Sequence, residues 1–178
     1  LNITITEPLA NLSIAPTHLN ATRTVAISPV ILTNTGGVVD TWEVVPALPQ
    51  GLEIDPFTGR ISGLPTVNAT TQVHTIWANN SGGQVSIELN LTVLEPRANL
   101  TASPENLTGF RTVETSGIQF PNVGGVVNTW AIFPALPSGL AMDPFTGSIT
   151  GVPAINMTRT VYTVWANNSG GTHSIQIL

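Results

Sequence analysis

The chain has 178 residues, a length that allows one large domain or two of about 90 residues, each able to bury a core without added staples. Ten acidic residues against five basic ones, all arginine, give a formal net charge of −5, which argues against a nucleic-acid partner or an anionic membrane surface. Because cysteine is absent, a disulfide framework and a thiolate metal site are excluded. No apolar run has the length of a membrane span.

Charge is too scarce to keep this surface hydrated by itself. Only 8% of the residues are charged, and the mean hydropathy is +0.26. A typical soluble domain has about 25% charged residues. Another hydrating group is therefore expected on the surface.

The sequence repeats at an interval of 88 residues without a gap. Residues 55–59, with the sequence DPFTG, return as residues 143–147. Self-similarity at a fixed period is the mark of tandem structural units. We therefore predict two domains, one over residues 7–94 and one over residues 95–178.

The two ends of the chain fall within one strand of this period. Residues 1–6 have the phase of residues 89–94, so we expect them to complete the last strand of a preceding repeat. Residues 174–178 begin the next copy of that strand, which leaves the last strand of the second domain truncated. Both covalent continuation as a longer array and strand donation between separate chains agree with this phase.

Within each repeat the pattern is that of β-strands. Residues 86–93 (SIELNLTV) alternate apolar and polar side chains at period two, as a half-buried strand does. Residues 55–59 supply proline and glycine for a turn, and residues 79–83 (NNSGG) resemble a hairpin loop. Short strands with this punctuation predict an all-β, antiparallel β-sandwich. We expect a core made of Trp42, Val44, Leu52, Ile54, Ile61, Ile76 and Ala78, with their counterparts 88 residues later.

One long motif carries a family resemblance. Residues 46–65 (PALPQGLEIDPFTGRISGLP), followed by a strand that ends in ANNSGG at 78–83, resemble the cadherin-like repeats of the He_PIG (Putative Ig domain) family. The resemblance covers both repeats and implies two tandem Ig-like domains, used as an extracellular spacer, adhesin or stalk, without catalytic residues. The chain departs from antibody domains by lacking their inter-sheet cysteine pair, and from classical cadherins by lacking their acidic calcium-binding linkers.

The strongest chemical signal is the density of N-glycosylation sequons. Fifteen asparagines and 36 serines or threonines would give about three Asn-x-Ser/Thr motifs by chance. The sequence has ten, none with proline in the middle, and N-glycans would supply the missing hydration. The alternative is that threonine-rich strands and asparagine-rich turns produce sequons passively. The ten are Asn2, Asn11, Asn20, Asn68, Asn79, Asn90, Asn99, Asn106, Asn156 and Asn167.

Two tryptophans are placed to contact a sugar. Residues two apart share a face of a strand, so Trp77 accompanies Asn79 and Trp165 accompanies Asn167. We predict that each indole stacks on the first sugar, as in aromatic-enhanced sequons. The alternative is that both are core residues, but the family pattern has threonine-type residues at these positions, which favours the outward orientation. Trp42, like its counterpart, is assigned to the core.

No residue pattern indicates catalysis or a resident cofactor. His18, His74 and His173 occupy unrelated phases of the period, and each is explained as an ordinary strand residue. Asp55 and its repeat, Asp143, are 88 residues apart and are explained as first residues of turns. Single carboxylates at Glu7, Asp40 or Glu95 are weak support for calcium, which needs six to eight oxygen ligands. We therefore expect no metal and no cofactor other than covalent N-glycans.

Three functions agree with these features. The first is a segment of an extracellular, N-glycosylated fibre built head-to-tail from Ig-like repeats, whose partners are adjacent repeats or copies of itself. The second is an adhesin that holds a ligand in its loops; the most divergent stretch between repeats, residues 17–35 against 105–123, is where it would do so. The third is a spacer in a larger secreted enzyme.

Overall fold

The 88-residue period corresponds to two compact units, Leu1–Leu94 (unit 1) and Glu95–Leu178 (unit 2). The structure is a computed structural model that describes residues 1–101 and 108–178. All regular secondary structure in those residues is β-strand, which confirms the all-β prediction. Within the same ranges, no helix has the length and apolarity needed to cross a membrane.

Unit 1 is built from eight strands. Alternating apolar side chains and frequent turn residues keep most of them short, apart from one long hairpin. The strands are β1 (Leu12–Ile14), β2 (His18–Thr22), β3 (Leu32–Asn34), β4 (Thr41–Val45), β5 (Leu52–Ile54), β6 (Ile61–Gly63), β7 (Ala69–Asn80) and β8 (Gly83–Leu94).

The main sheet of unit 1 has the order β2-β8-β7-β4. β7 and β8 form the long hairpin, and β4 pairs antiparallel with β7. β2 pairs with β8 in parallel, from His18 opposite Asn90 to Thr22 opposite Leu94. The antiparallel prediction did not anticipate this one pair. The parallel arrangement is possible because most of the unit lies between the two strands, giving the long connection that parallel pairing needs.

A second layer covers the main sheet. In it, β1 pairs with β3 and β5 pairs with β6, all antiparallel. An isolated bridge between Val30 and Ile61 joins β6 to the segment before β3. Apolar side chains from both layers meet in one core, which is the sandwich that the sequence predicted.

Unit 2 repeats the plan in its described residues. One sheet has the order β10-β13-β14, matching β4-β7-β8, and the other has the order β11-β12-β9. A bridge between Leu100 and Asn122 stands where β1 meets β3 in unit 1. The strands are β9 (Thr115–Ile118), β10 (Thr129–Phe133), β11 (Leu140–Met142), β12 (Ile149–Gly151), β13 (Tyr162–Asn168) and β14 (Gly171–Ile177).

The predicted core residues lie in the core. Five of the seven in unit 1 are buried, while Val44 and Ile54 are half-buried and pack against them. In unit 2 three of the seven counterparts are buried and the other four are half-buried; Trp130, for example, contacts both apolar clusters. The buried counterparts are Ile149, Val164 and Ala166.

Candidate functional site

The solvent-facing side of the sheet β2-β8-β7-β4, here called the outer face, carries three sequon asparagines. Asn20 is exposed on β2, and Asn90 and Asn79 are half-buried on β8 and β7. Their strand neighbours Ala21 and Leu89 are buried on the opposite side. The pleat therefore turns these three asparagines away from the core.

Trp77 lies on the outer face beside Asn79. Ile76 and Ala78, which flank it along β7, are buried, whereas the indole is half-buried. Across the sheet, Trp77 is opposite Glu43 of β4 and a short serine of β8. The indole is thus held at the surface with a sequon asparagine two positions away on the same face.

Unit 2 repeats this pair. Trp165 is half-buried between Ala131 of β10 and Ser174 of β14. Asn167 follows it on the same face and accepts a hydrogen bond from Thr172 Oγ1 at 2.7 Å. Both predicted tryptophan–asparagine pairs therefore occupy equivalent outward positions.

The two amides of the dipeptide Asn79-Asn80 have opposite environments. The Asn79 Nδ2, the atom that would receive a sugar, lies 3.4 Å from Thr41 Oγ1. The Asn80 Nδ2 donates to two carbonyl oxygens, of Pro8 at 2.8 Å and of Val38 at 3.0 Å. The longer contact is at the weak end of hydrogen bonding, so the Nδ2 of the sequon asparagine is held less tightly than the Nδ2 of Asn80.

The same division is found in unit 2. The Asn167 Nδ2 lies 3.5 Å from the Thr129 carbonyl oxygen. The Asn168 Nδ2 donates to the carbonyls of Pro96 at 2.8 Å and Val126 at 3.0 Å. In both units, then, the Nδ2 of the second asparagine donates two short hydrogen bonds, whereas the Nδ2 of the first has only one long contact.

Asn80 belongs to a contact that the sequence interpretation missed. Residues 80–82 at the tip of the β7–β8 hairpin, together with Gly37, bind the leading segment of the unit, residues 7–11; this contact is here called the hairpin clamp. Unit 2 has the same clamp, with Glu95 N donating to Ser169 Oγ at 2.8 Å. The clamp bonds in unit 1 are Glu7 N to Ser81 Oγ at 2.9 Å, Asn80 Nδ2 to Pro8 O at 2.8 Å and Gly37 N to Leu9 O at 3.0 Å.

Glycines allow the close approach that the clamp requires. A Cβ on Gly37 would overlap the carbonyl oxygen of Pro8, and one on Gly82 would overlap that of Glu7. The sequence pattern of residues 79–83 predicts a hairpin loop but not the contact with the leading segment. The signal that could have revealed more is the joint recurrence, 88 residues later, of the Asn-Ser-Gly-Gly loop and of the Glu-Pro that it holds.

The remaining sequon asparagines that the structure describes lie outside the main sheets. Asn11 is exposed, and its Nδ2 donates to Thr35 Oγ1 at 2.9 Å. Its repeat, Asn99, is exposed and has Val123 in place of that threonine. Asn106 lies outside the described residues. The other three, Asn2, Asn68 and Asn156, are exposed.

The DPFTG loops are turns closed by a carboxylate, as predicted. Asp55 Oδ1 accepts hydrogen bonds from the backbone amides of Phe57 and Thr58, each at 2.9 Å. These bonds favour the ionised form and lower the pKa of Asp55 below its ordinary value. The equivalent bonds from Phe145 and the following threonine lower the pKa of Asp143.

Acid should weaken both loops. A carboxyl whose pKa is lower in the folded chain stabilises the fold above its ordinary pKa of 3.8 and loses that contribution as the pH falls through the lowered value. We expect the midpoint of thermal unfolding to drop below pH 3.8. Replacing Asp55→Asn and Asp143→Asn together keeps an acceptor oxygen and should flatten that part of the profile; an unchanged slope would contradict the assignment.

The three histidines lie in different environments and contact different residues. His18 is exposed, and its Nδ1 lies 3.1 Å from Thr17 Oγ1. His74 is buried with Nδ1 2.9 Å from the Pro46 carbonyl oxygen, and His173 Nδ1 accepts from Leu100 N at 3.1 Å. Across residues 1–101 and 108–178, no group of three or more histidines and carboxylates has the placement of a metal site.

A cleft of about 660 Å³ opens on unit 2. Its floor consists of core side chains, including Ile118, Leu140 and Ile149. In unit 1, Leu91 of β8 and Ala21 of β2 are buried. We interpret the cleft as exposed core, because its floor consists of side chains that belong to the apolar cluster of unit 2.

Sequence and fold comparisons agree with this architecture. The sequence profile of the He_PIG family, described as Putative Ig domain, matches residues 7–94 and again residues 92–177. The chain belongs to this family. The two matches account for nearly all of the chain, one over each repeat.

A sequence relative supports the assignment. A protein of Staphylococcus aureus (strain N315), "Serine-rich adhesin for platelets", is 30% identical over 172 residues, which is 88% of this chain but 7% of that protein. The chain thus spans a small fraction of that relative. An Ig-domain family and an adhesin relative indicate a non-enzymatic module.

Solved structures show the same fold at low sequence identity. The insect immune protein hemolin has a TM-score of 0.57 at 15% identity, covering 97% of this chain and 46% of hemolin. Four Ig domains of Dscam1 isoform 9.44 have a TM-score of 0.53 at 13% identity, covering 98% of this chain and 46% of theirs. These likenesses establish the Ig-like fold.

Proposed function

We propose that this chain is a segment of an extracellular or cell-surface protein in which Ig-like He_PIG repeats, joined head-to-tail and N-glycosylated, form a structural array. The observation that carries the proposal is that abundant sequons accompany few charged residues, so that charge alone hydrates the surface poorly. Ten sequons against about three expected by chance accompany only 8% charged residues. Sugar would hydrate a surface that charge does not.

The position of Asn79 supports modification there. Its Nδ2 has one long contact at 3.4 Å, whereas the amide of the neighbouring Asn80, which is not in a sequon, makes two short hydrogen bonds. Unit 2 repeats the difference at Asn167 and Asn168. A sugar on the first asparagine would therefore leave the hairpin clamp intact.

The array itself is supported by the repetition of the clamp. Each unit holds its own leading segment with the same serine and asparagine contacts. Further units can therefore be added along a chain without an additional contact to hold each leading segment. A head-to-tail arrangement that does not close into a ring extends indefinitely. Electron microscopy of the native material should show beads along a line, and isolated two-bead particles would contradict the array.

The glycan proposal is tested by the intact mass of protein from its native source, before and after enzymatic removal of N-glycans. We expect the treatment to lower the mass of the native protein by several kilodaltons for each copy of this 178-residue segment, with Asn79 and Asn167 among the modified sites. An unmodified mass would overturn the glycosylated part of the proposal. Protein made in a bacterium without N-glycosylation is the matched control.

The tryptophan pairs predict a sugar-dependent effect on stability. Replacing Trp77→Thr and Trp165→Thr should destabilise the glycosylated protein by about 0.5–1.5 kcal/mol more than the sugar-free protein, by analogy with other aromatic contacts. The measurement is denaturant unfolding of both forms. Equal losses in the two forms would show that the indoles serve only the packing of the outer face.

A second function, adhesion to a ligand, is favoured by the similarity to an adhesin at 30% identity. In that case the loops would bind and the array would present them. Immobilised native protein would then retain a ligand after N-glycan removal and lose it when residues 23–29, which lie between β2 and β3, are exchanged for a neutral loop. Retention that depends on the sugar alone would favour the structural role.

A further inference from the structure

The sequon of Asn79 shares its second and third residues with the hairpin clamp. Asn80 Nδ2 donates to the carbonyl oxygen of Pro8 at 2.8 Å. Ser81 Oγ accepts a hydrogen bond from Glu7 N at 2.9 Å. Because the motif requires serine or threonine at its third position, the hydroxyl group there is what a sugar-transferring enzyme recognises. In the folded unit this group is already engaged.

The leading segment also crowds the sequon sterically. A Cβ on Gly82 would overlap the carbonyl oxygen of Glu7. In unit 2, a Cβ on Gly170 would overlap that of Glu95. Where a methyl group does not fit, the wall of an enzyme's binding cleft does not fit either. Ser81 is exposed, so release of the leading segment is enough to free its hydroxyl group.

Asn79 lies at the end of β7 that is nearest the hairpin turn. Its strand partners are Thr41 of β4 and Gln84 of β8. One further pair, Asn80 with Gly83, separates it from the turn. Fraying of the turn therefore reaches Asn79 after two ladder pairs have opened. Such local opening costs much less free energy than global unfolding, so the clamp is the main obstacle to an enzyme at this site.

Other sequons are held differently. Residues 2–4 and 156–158 are exposed and lie outside the strands, so these two sequons are open in the folded chain. Asn90 lies within β8, between β2 and β7, and the next residue, Leu91, is fully buried. An enzyme can bind that sequon only while the sheet is absent. The sequons thus differ in how much of the fold must open before modification.

We propose that the hairpin clamp is a gate for sugar transfer, so that Asn79 and Asn167 receive their sugars before the clamp of their unit closes. In the transfer, Nδ2 of the asparagine bonds to C1 of the sugar while the bond from C1 to a lipid-linked phosphate breaks. The phosphate leaves with the electron pair, and the amide nitrogen loses one proton to solvent. The attached sugar permits closure, because Asn79 Nδ2 has only the 3.4 Å contact with Thr41. This inference deepens the glycosylation proposed above and rests on it for its biological use.

The test adds sugar to folded protein of all 178 residues, made in a bacterium without N-glycosylation. A purified single-subunit oligosaccharyltransferase that accepts any Asn-x-Ser/Thr motif acts on it with a lipid-linked oligosaccharide, and glycopeptide mass spectrometry gives the initial rate at each sequon. The rate at Asn79 should be at least about tenfold below the rates at Asn2 and Asn156, because the clamp must first lose two or more net hydrogen bonds. Equal rates at the three sites would overturn the inference.

A variant that opens one clamp provides the second comparison. Asn80→Ser removes the Nδ2 donor and keeps the sequon, since its middle position accepts serine. The rate at Asn79 should rise at least about fivefold, while the rate at Asn167, behind the intact clamp of unit 2, stays unchanged. Asn168→Ser should reverse this pattern. An unchanged rate at the asparagine behind each opened clamp would contradict the gate.

Asn90 reports whether the variant remains folded, because it stays unmodified while β8 is paired. If Asn90 is modified in Asn80→Ser, that variant has unfolded, and Glu7→Pro replaces it by removing only the donor to Ser81. Thr6→Pro, one residue outside the clamp, is its matched control. If both clamp variants unfold, the comparison within the unchanged protein decides. Equal rates there would leave the native mass result standing, and an unmodified native mass would leave the gating result standing, so the two failures are distinguishable.

Discussion

Replacing Gly59 with alanine is expected to lower the free energy of unfolding of unit 1 by about 2–5 kcal/mol. Gly59 closes the DPFTG loop with φ +69, a left-handed backbone that costs other residues about 1–2 kcal/mol. An added Cβ would also lie 2.7 Å from two ring carbons of Trp42, which is buried. Overpacking of this kind costs about 1–3 kcal/mol.

Unit 2 and a remote glycine supply the controls. Gly147 has φ +71, and its Cβ would lie 2.7 Å from a ring carbon of Trp130, so Gly147→Ala should destabilise unit 2 to a similar extent. At Gly109 the nearest atom to an added Cβ is Pro153 Cγ at 3.8 Å, and Gly109→Ala should have little effect. Denaturant unfolding followed by tryptophan fluorescence measures all three. A loss below about 1 kcal/mol at Gly59 would contradict the packing argument.

Replacing Asn80 with serine is expected to cost about 1–3 kcal/mol in unit 1. The change removes the Nδ2 donor that bridges the Pro8 and Val38 carbonyls at 2.8 and 3.0 Å, and each net hydrogen bond contributes about 0.5–1.5 kcal/mol. Serine is too short to reach both oxygens. Amide hydrogen exchange in residues 7–11 should accelerate, because the leading segment loses its bond to the hairpin tip.

The neighbouring asparagine is the matched control. In sugar-free protein, Asn79→Ser removes the same chemical group but only a 3.4 Å contact with Thr41, and the loss should stay below about 1 kcal/mol. Asn168→Ser should reproduce the larger effect in unit 2. Equal losses at positions 79 and 80 would show that the clamp contributes nothing beyond an ordinary surface amide.

The strands of this fold could be predicted because their pattern is local. In residues 86–93 every second side chain is apolar, and two of these, Leu89 and Leu91, are buried. This period of two predicts which side of the strand faces the core and which faces solvent. The pattern does not state which strand lies alongside. The parallel pairing of β2 with β8 joins residues about 70 positions apart, and nothing in either strand's alternation specifies its partner.

The dipeptide Asn79-Asn80 shows the same limit for the candidate site: a local motif can be predicted from the sequence, but contacts with distant residues cannot. The sequon at Asn79 is readable because its three residues are contiguous. The partners of Asn80 are 72 and 42 residues away in sequence, and its amide looks like that of any turn residue until those carbonyls are known. Alternation with Ile76 and Ala78 predicts that Trp77 shares a face with Asn79, whereas its outward orientation is predicted from the threonine-type residues of the family pattern.

The hairpin clamp binds backbone groups of its leading segment in both units. In unit 2, side chains of that segment add hydrogen bonds, because Glu95 Oε1 accepts from Val126 N at 3.0 Å and Arg97 Nε donates to the Thr172 carbonyl oxygen at 2.6 Å. In unit 1 its partners there are the amide of Glu7 and the carbonyls of Pro8 and Leu9. Unit 2 holds Arg97 where unit 1 has Leu9, and Gly125 N still donates to the Arg97 carbonyl at 3.1 Å. Each unit contains both halves of this contact, so the contact does not depend on the sequence that precedes the unit. Copies can therefore be gained, lost or shuffled by recombination between neighbouring gene segments without a compensating mutation at each new junction.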